Sequence, residues 1–231
     1  MKCRGWSIIA ALLLAGCAEE PEAPASPVAA ETGTSDRTAE VRGPERRILA
    51  FGNSLFAGYG VGEGQGYPAR LQAALRARGI DARVIDSGVS GDTTAAGLQR
   101  IEFVLDGLDS PPDLAIVELG GNDLLRGISP PETRENLAGI LAELQERGIP
   151  VLLMGMRAPP NLGEFYVEDF DAIYPDLAER YRAALVPFFL ESIYDKPALI
   201  QPDRIHPTAE GIEALVAATV DDVAEALPPT G

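Results

Sequence analysis

From Arg47 onward the sequence predicts an α/β fold: a five-stranded parallel sheet with helices on both faces. Three observations lead there. Short apolar runs alternate with longer amphipathic ones, which is the pattern of strand–helix–strand units. The short runs are apolar nearly throughout, as strands covered on both faces must be. The boundaries carry glycines and hydroxyl side chains where helix ends require them.

Taken in order, Ile48 to Phe51 is the first strand and Pro68 to Arg78 the first helix, closed by Gly79. Arg83 to Ile85 is the second strand, and Thr93 to Leu105 the second helix. Leu114 to Leu119 is the third strand, followed by a helix over Pro131 to Arg147 that Gly148 ends. Pro150 to Met156 is the fourth strand and Glu168 to Ala184 the fourth helix. A weaker strand covers Leu185 to Phe189, and Thr208 caps a last helix reaching Ala226. Two connections, Leu124 to Ser129 and Ala158 to Tyr166, show little regular pattern. Each follows a strand end, where loops shape a binding site.

Composition narrows the function. The 231 residues carry 35 acidic against 19 basic side chains, a formal net charge of -16. Such a surface repels phosphate backbones, which argues against nucleic-acid binding. Both cysteines, Cys3 and Cys17, lie near the start, so no disulfide or cysteine-rich metal centre is expected in the body of the chain. With one histidine, His206, a histidine-rich zinc site is excluded as well. No metal and no cofactor are expected.

The first 44 residues read as an address and a tether. Lys2 and Arg4 precede an apolar run from Trp6 to Ala15 that is short for a bilayer span. Residues 1–16 are therefore read as a signal peptide. The run ends Leu14-Ala15-Gly16-Cys17, which resembles a bacterial lipoprotein signal, with Cys17 as the lipidation site. Residues 17–44, rich in Ala, Pro, Glu, Thr and Ser, are read as the lipidated cysteine and a disordered tether. Residues 45–231, about 185 in all, suit one domain with one core. The expected setting is the cell envelope. A lipid anchor at Cys17 would hold the protein to a membrane facing the periplasm, and Ala18 after Cys17 favours the outer membrane over the inner. A monomer is the default expectation.

Four short motifs carry the chemistry: Gly52-Asn53-Ser54-Leu55, Val89-Ser90-Gly91-Asp92, Gly120-Gly121-Asn122-Asp123 and Asp203-Arg204-Ile205-His206-Pro207. The first three follow strand ends, and the last leads into the final helix. In open α/β sheets ligands bind beyond the carboxyl ends of strands, so all four converge on one rim. Any imidazole acting as a general base must be His206, and such a base acts only when neutral. Asp92 and Asp123 are read as helix caps or loop acceptors, without a catalytic role. The Gly-x-Ser-x-Gly pattern of the other large α/β hydrolase family is absent around Ser54.

With its longer strings GNSLFAGYG, VSGDTTAAGLQRI, VELGGNDLLRG, APPNLGEFY and DRIHP, the chain resembles the SGNH hydrolases, or GDSL-type esterases. The likeness covers Arg47 to Ala226 and is closest to the arylesterase, acyl-thioesterase and lysophospholipase branch. It implies a three-layer flavodoxin-like SGNH hydrolase fold and a serine esterase. The implied catalytic residues are Ser54 as nucleophile, His206 as base and Asp203 as its partner. Ser54, Gly91 and Asn122 are the implied oxyanion hole. One departure stands out, since the family reads Gly-Asp-Ser-Leu where this chain has Asn53.

The implied substrates are aryl or short-to-medium acyl esters, lysophospholipids and thioesters. An O-acetylesterase acting on cell-wall or polysaccharide substrates is the alternative. A catalytically inactive binding lipoprotein is a third reading, opposed by the intact Ser54, Asp203 and His206. Apolar residues near the rim (Leu55, Phe56, Leu124, Leu125, Ile128, Leu162, Phe165), together with Pro159, are candidates for an acyl groove, each weighed against ordinary core.

Overall fold

The structure, a computed structural model, describes residues 41–229. The signal-peptide reading, Cys17 and nearly all of the proposed tether lie outside the described residues. Five strands form one sheet in the order β2-β1-β3-β4-β5. They are β1 (Arg42–Gly52), β2 (Ile80–Gly88), β3 (Leu114–Glu118), β4 (Val151–Met154) and β5 (Ala184–Val186). Every pairing is parallel. This is the flavodoxin-like order, whose binding crevice lies at the carboxyl ends of β1 and β3, where the strand order reverses.

The central strands are apolar because nothing polar reaches them. Ile48, Leu49, Ala50 and Phe51 of β1 are fully buried, and so are Leu114 to Val117 of β3. A buried side chain of this size contributes roughly 1.5–3 kcal/mol, so these two strands anchor the domain. Helix α1 (Tyr67–Ala77) packs beside α7 (Ala209–Ala226), and α2 (Thr94–Asp106) beside α4 (Pro130–Glu146). Thr93, Ser129 and Thr208 cap α2, α4 and α7, each accepting a backbone N–H three residues on. Gly79 and Gly148 end α1 and α4 with positive φ.

Strand ends shift by a few residues, with β2 longer than expected and β5 shorter, and three differences are larger in consequence. β1 begins at Arg42, three residues inside the stretch read as tether, because Arg42 pairs with Ile80 across a register shift. Arg42 to Arg47 (Arg-Gly-Pro-Glu-Arg-Arg) carries no apolar strand signal, so the extension becomes visible only through its partner β2. The predicted helix over Glu168 to Ala184 is two, α5 (Glu164–Asp171) and α6 (Ile173–Tyr181). Pro175 has no N–H to donate to the Asp171 carbonyl, so one helix cannot run through. Finally, Gly121–Arg126 forms a short helix, α3, in a stretch that sequence pattern left largely irregular; Gly127, at φ 66°, closes it.

Candidate active site

Ser54 sits in the turn that leaves β1. The turn is held from below by Glu118, the last residue of the neighbouring β3. Its carboxyl oxygens accept from Asn53 N–H at 3.3 Å and Asn53 Nδ2 at 3.0 Å. The Asn53 amide oxygen in turn accepts from Leu55 N–H at 3.0 Å. Asn53 thus both donates to the sheet and accepts from the turn, which an ionised Asp beside Glu118 could not do without setting two carboxylates face to face. Glu118 is fully buried. Burial pushes its carboxyl up to about 8, against the lowering effect of its hydrogen bonds from the Asn53 backbone and side chain.

The fourth motif arrives on a loop closed by the antiparallel bridge Ile200↔Pro207. Asp203 accepts the N–H groups of Ile205 (2.9 Å) and His206 (3.1 Å) with one carboxylate oxygen. Its other oxygen meets His206 Nδ1 at 2.6 Å. The imidazole is then aimed so that Nε2 lies 2.9 Å from Ser54 Oγ. Partial burial raises the Asp203 carboxyl, but the hydrogen bonds from the His206 side chain and from the Ile205 and His206 amides outweigh it. The net result is a carboxyl lowered to about 2. Arg204 takes φ 61° to make this turn.

The second and third motifs lie against each other. Gly91 has φ 89°, a conformation that a side chain would strain. Helix α3 holds this loop at two points, with Asn122 Nδ2 donating to Asp92 O at 2.8 Å and Arg126 to Gly91 O at 2.7 Å. Asp92 also pairs with Arg100 at 2.6 Å, and Arg100 reaches back to the Gly52 carbonyl at 2.9 Å. Among the described residues, neither Ser54 N–H nor Gly91 N–H is taken by a backbone acceptor. Asp123 is fully buried and accepts from Thr94 and Thr133, which makes it a structural acceptor.

A cleft of about 260 Å³ opens beside Ser54. Of the residues read as an acyl groove, Leu55, Leu124, Leu125 and Pro159 line it; Ile128, Leu162 and Phe165 do not. Ile128 is spent on its own connection, its carbonyl accepting from Tyr166 at 2.7 Å. Phe165 is 82% exposed, and Leu162 belongs to a 3-10 turn over Pro160–Leu162. Phe56 is core, stacked on Tyr67 with centroids 5.1 Å apart.

The remaining wall was not foreseen. It consists of Met156, Leu190, Tyr194, Ile200, Arg204 and Ile205. Met156 lies just past the end of β4, where the strand-end rule points. Leu190 to Ile200 has no periodicity, and nothing in its sequence signals a wall. Arg126 was also missed, although it stands four residues after Asn122 on the same helix face.

Residues 50–214 match the GDSL-like lipase/acylhydrolase family. Esterase TesA of Pseudomonas aeruginosa is 41% identical over 160 residues, which is 69% of this chain and 79% of that protein. Thioesterase 1/protease 1/lysophospholipase L1 of Escherichia coli strain K12 is 39% identical over 163 residues, 71% of this chain and 76% of its own. The crystal structure of AlinE4, an SGNH-hydrolase family esterase, superposes with a TM-score of 0.69 at 67% identity, covering 81% of this chain and all of that one. With most of its described length matched, and with the flavodoxin-like sheet those relatives share, the chain belongs to the GDSL-like lipase/acylhydrolase family and is a hydrolase of ester bonds.

Proposed function

We propose that Ser54, His206 and Asp203 act as a catalytic triad cleaving short-to-medium acyl and aryl esters through an acyl-enzyme. The observation that carries the reading is the unbroken relay from Asp203 to Nδ1 and from Nε2 to Ser54 Oγ, at 2.6 and 2.9 Å. Ser54 Oγ attacks the ester carbonyl while its proton passes to Nε2. Asp203 fixes the tautomer with Nδ1–H and stabilises the imidazolium that forms. The tetrahedral oxyanion lies among the N–H groups of Ser54 and Gly91 and the second Nδ2 hydrogen of Asn122, whose first is occupied by Asp92 O. His206 then gives its proton to the leaving oxygen. A water deprotonated by the same imidazole releases the acid and restores Ser54.

The cleft supports short-to-medium chains. Its volume of about 260 Å³ lies just under the usual range for drug-sized ligands. Its lining is apolar apart from Asn53, Ser54, Asn122 and Arg204. A lysophospholipid or thioester with a modest acyl group fits the same wall. The test is hydrolysis of p-nitrophenyl esters of increasing chain length, beside Ser54→Ala. Turnover strongest with the shorter chains and lost in the variant supports the reading. Activity surviving in Ser54→Ala overturns it, and turnover confined to acetylated polysaccharide redirects it to the deacetylase alternative.

We also propose that the protein works at the cell envelope, tethered by a lipid on Cys17. Support comes from the sequence pattern ending at Cys17. Detergent release of the full-length protein, lost in Cys17→Ser, tests it; equal aqueous release of both overturns it.

A further inference from the structure

Gln201 sits two residues before Asp203 and no part of the proposed chemistry uses it, yet it touches both halves of the site. Its side-chain nitrogen donates both hydrogens, one to Tyr59 O and one to Pro207 O, each at 2.8 Å. Its backbone N–H donates to His206 O at 2.7 Å. Tyr59 N–H in turn donates to Ser54 O at 3.2 Å. The chain of contacts therefore runs from the Ser54 carbonyl, through Tyr59 and Gln201, to the carbonyls of His206 and Pro207. Among the described residues, the only other hydrogen bond between the two segments is the 2.9 Å contact between Ser54 Oγ and His206 Nε2, which the reaction itself must break and remake.

Two further observations fit the same role. The Tyr59 ring lies against the His206 imidazole, with centroids 4.4 Å apart and planes 34° apart, although the tyrosine is 53% exposed. An aromatic ring resting on the imidazole limits the freedom of the base. Gly60, next in sequence, has φ 75°, and a Cβ there would fall on the Gln201 side-chain amide. A glycine is thus needed both for the turn and for the approach of Gln201.

We propose that Gln201 and Tyr59 form a clasp that sets the distance and direction between Ser54 Oγ and His206 Nε2, as positioning residues that touch no substrate. The clasp matters because the base rides on an exposed loop while the nucleophile is fixed to the sheet. A misplacement on the order of 1 Å between reacting groups can cost about a hundredfold in rate. The inference rests on the triad reading and adds to it that the triad's geometry is held from outside the triad.

The test is a double-mutant cycle of Gln201→Ala and Gly60→Ala. It follows kcat and KM on a p-nitrophenyl ester, the rate of Ser54 phosphonylation by a fluorophosphonate, and Tm, with Ser54→Ala as control. The expected result is that Gln201→Ala lowers kcat and phosphonylation together by about tenfold, with KM little changed. Gly60→Ala does the same in the wild-type background and costs clearly less once the Gln201 side chain is gone, the remainder being the strain of a side chain at φ 75°. Tyr59→Leu loses more activity than Tyr59→Phe, which keeps the ring. Unchanged kcat in Gln201→Ala, or equal Gly60→Ala losses in both backgrounds, overturns the clasp while leaving the triad intact. Residual turnover in Ser54→Ala overturns the triad itself.

Discussion

The two halves of the candidate active site are built on opposite principles. The Ser54 side is part of the core: Ser54 is 8% exposed, Asn53 2%, and the supporting Glu118 is fully buried at the end of β3. The His206 side is a surface loop, with the Asp203 side chain 36% exposed and Arg204 in a left-handed conformation. The sheet can fix Ser54 because β2 and β3 flank its strand. No strand flanks residues 201–207 in this way, so their geometry comes from short-range hydrogen bonds within the loop and from the tie of Gln201 to Tyr59. Packing holds one half and polar satisfaction the other, and the two are open to different perturbations.

The largest expected effect falls equally on both halves. Ser54→Ala and His206→Ala should each lower kcat by about 10⁴-fold or more, because the triad acts as a unit. The histidine change should leave Tm near wild type, since its loop contributes little core; steady-state kinetics and thermal unfolding read both. Next comes Asn122→Ala, with an expected loss of roughly 10²–10³ in kcat, or about 2.7–4 kcal/mol of transition-state stabilisation. An unchanged kcat would remove Asn122 from the oxyanion hole.

Two smaller effects separate the halves by pH, in opposite directions. The Glu118 carboxyl is raised by burial to about 8, well above its value in the unfolded chain. The fully protonated pair of states lies below the unfolded value. As pH rises from there through about 8, the native state resists ionisation and stability declines, then levels off. Glu118→Gln should therefore gain Tm relative to wild type as pH is raised from about 5 to about 9. Asp203 behaves in the reverse sense. Its carboxyl lies at about 2, below the unfolded value, so its contribution is complete above the unfolded value and is lost as pH falls toward about 2. That contribution is small, because the exposed pair is screened by solvent. Asp203→Asn should flatten only the acid end of a Tm–pH curve.

How much of this was legible in the sequence follows the same division. The apolar strands β1, β3 and β4, the cap at Thr208 and the closing glycines Gly79 and Gly148 were readable, because burial on both faces and helix ends leave local signatures. The four motifs were readable as a rim because strand ends determine where they emerge. The break between α5 and α6 was marked by Pro175 but overridden by the longer periodic pattern around it. The start of β1 at Arg42 depends on a partner in β2, 38 residues away, which no local pattern reports. The cleft wall from Leu190 to Ile205 was illegible for a similar reason. Its residues have no period of their own, and only the closing of the loop onto Ser54 gives them a common face.

The Ser54–His206 contact spans 152 positions, and β1 needs both β2 and β3 to be paired before its end is fixed. Every pairing in the sheet is parallel, so each must wait for a crossover to be traversed. On the proposed triad, a nascent chain has no working hydrolytic centre until residue 206 has left the ribosome and met Ser54. Regained ester turnover is then a clock for the final step of refolding, and should lag behind the recovery of secondary structure.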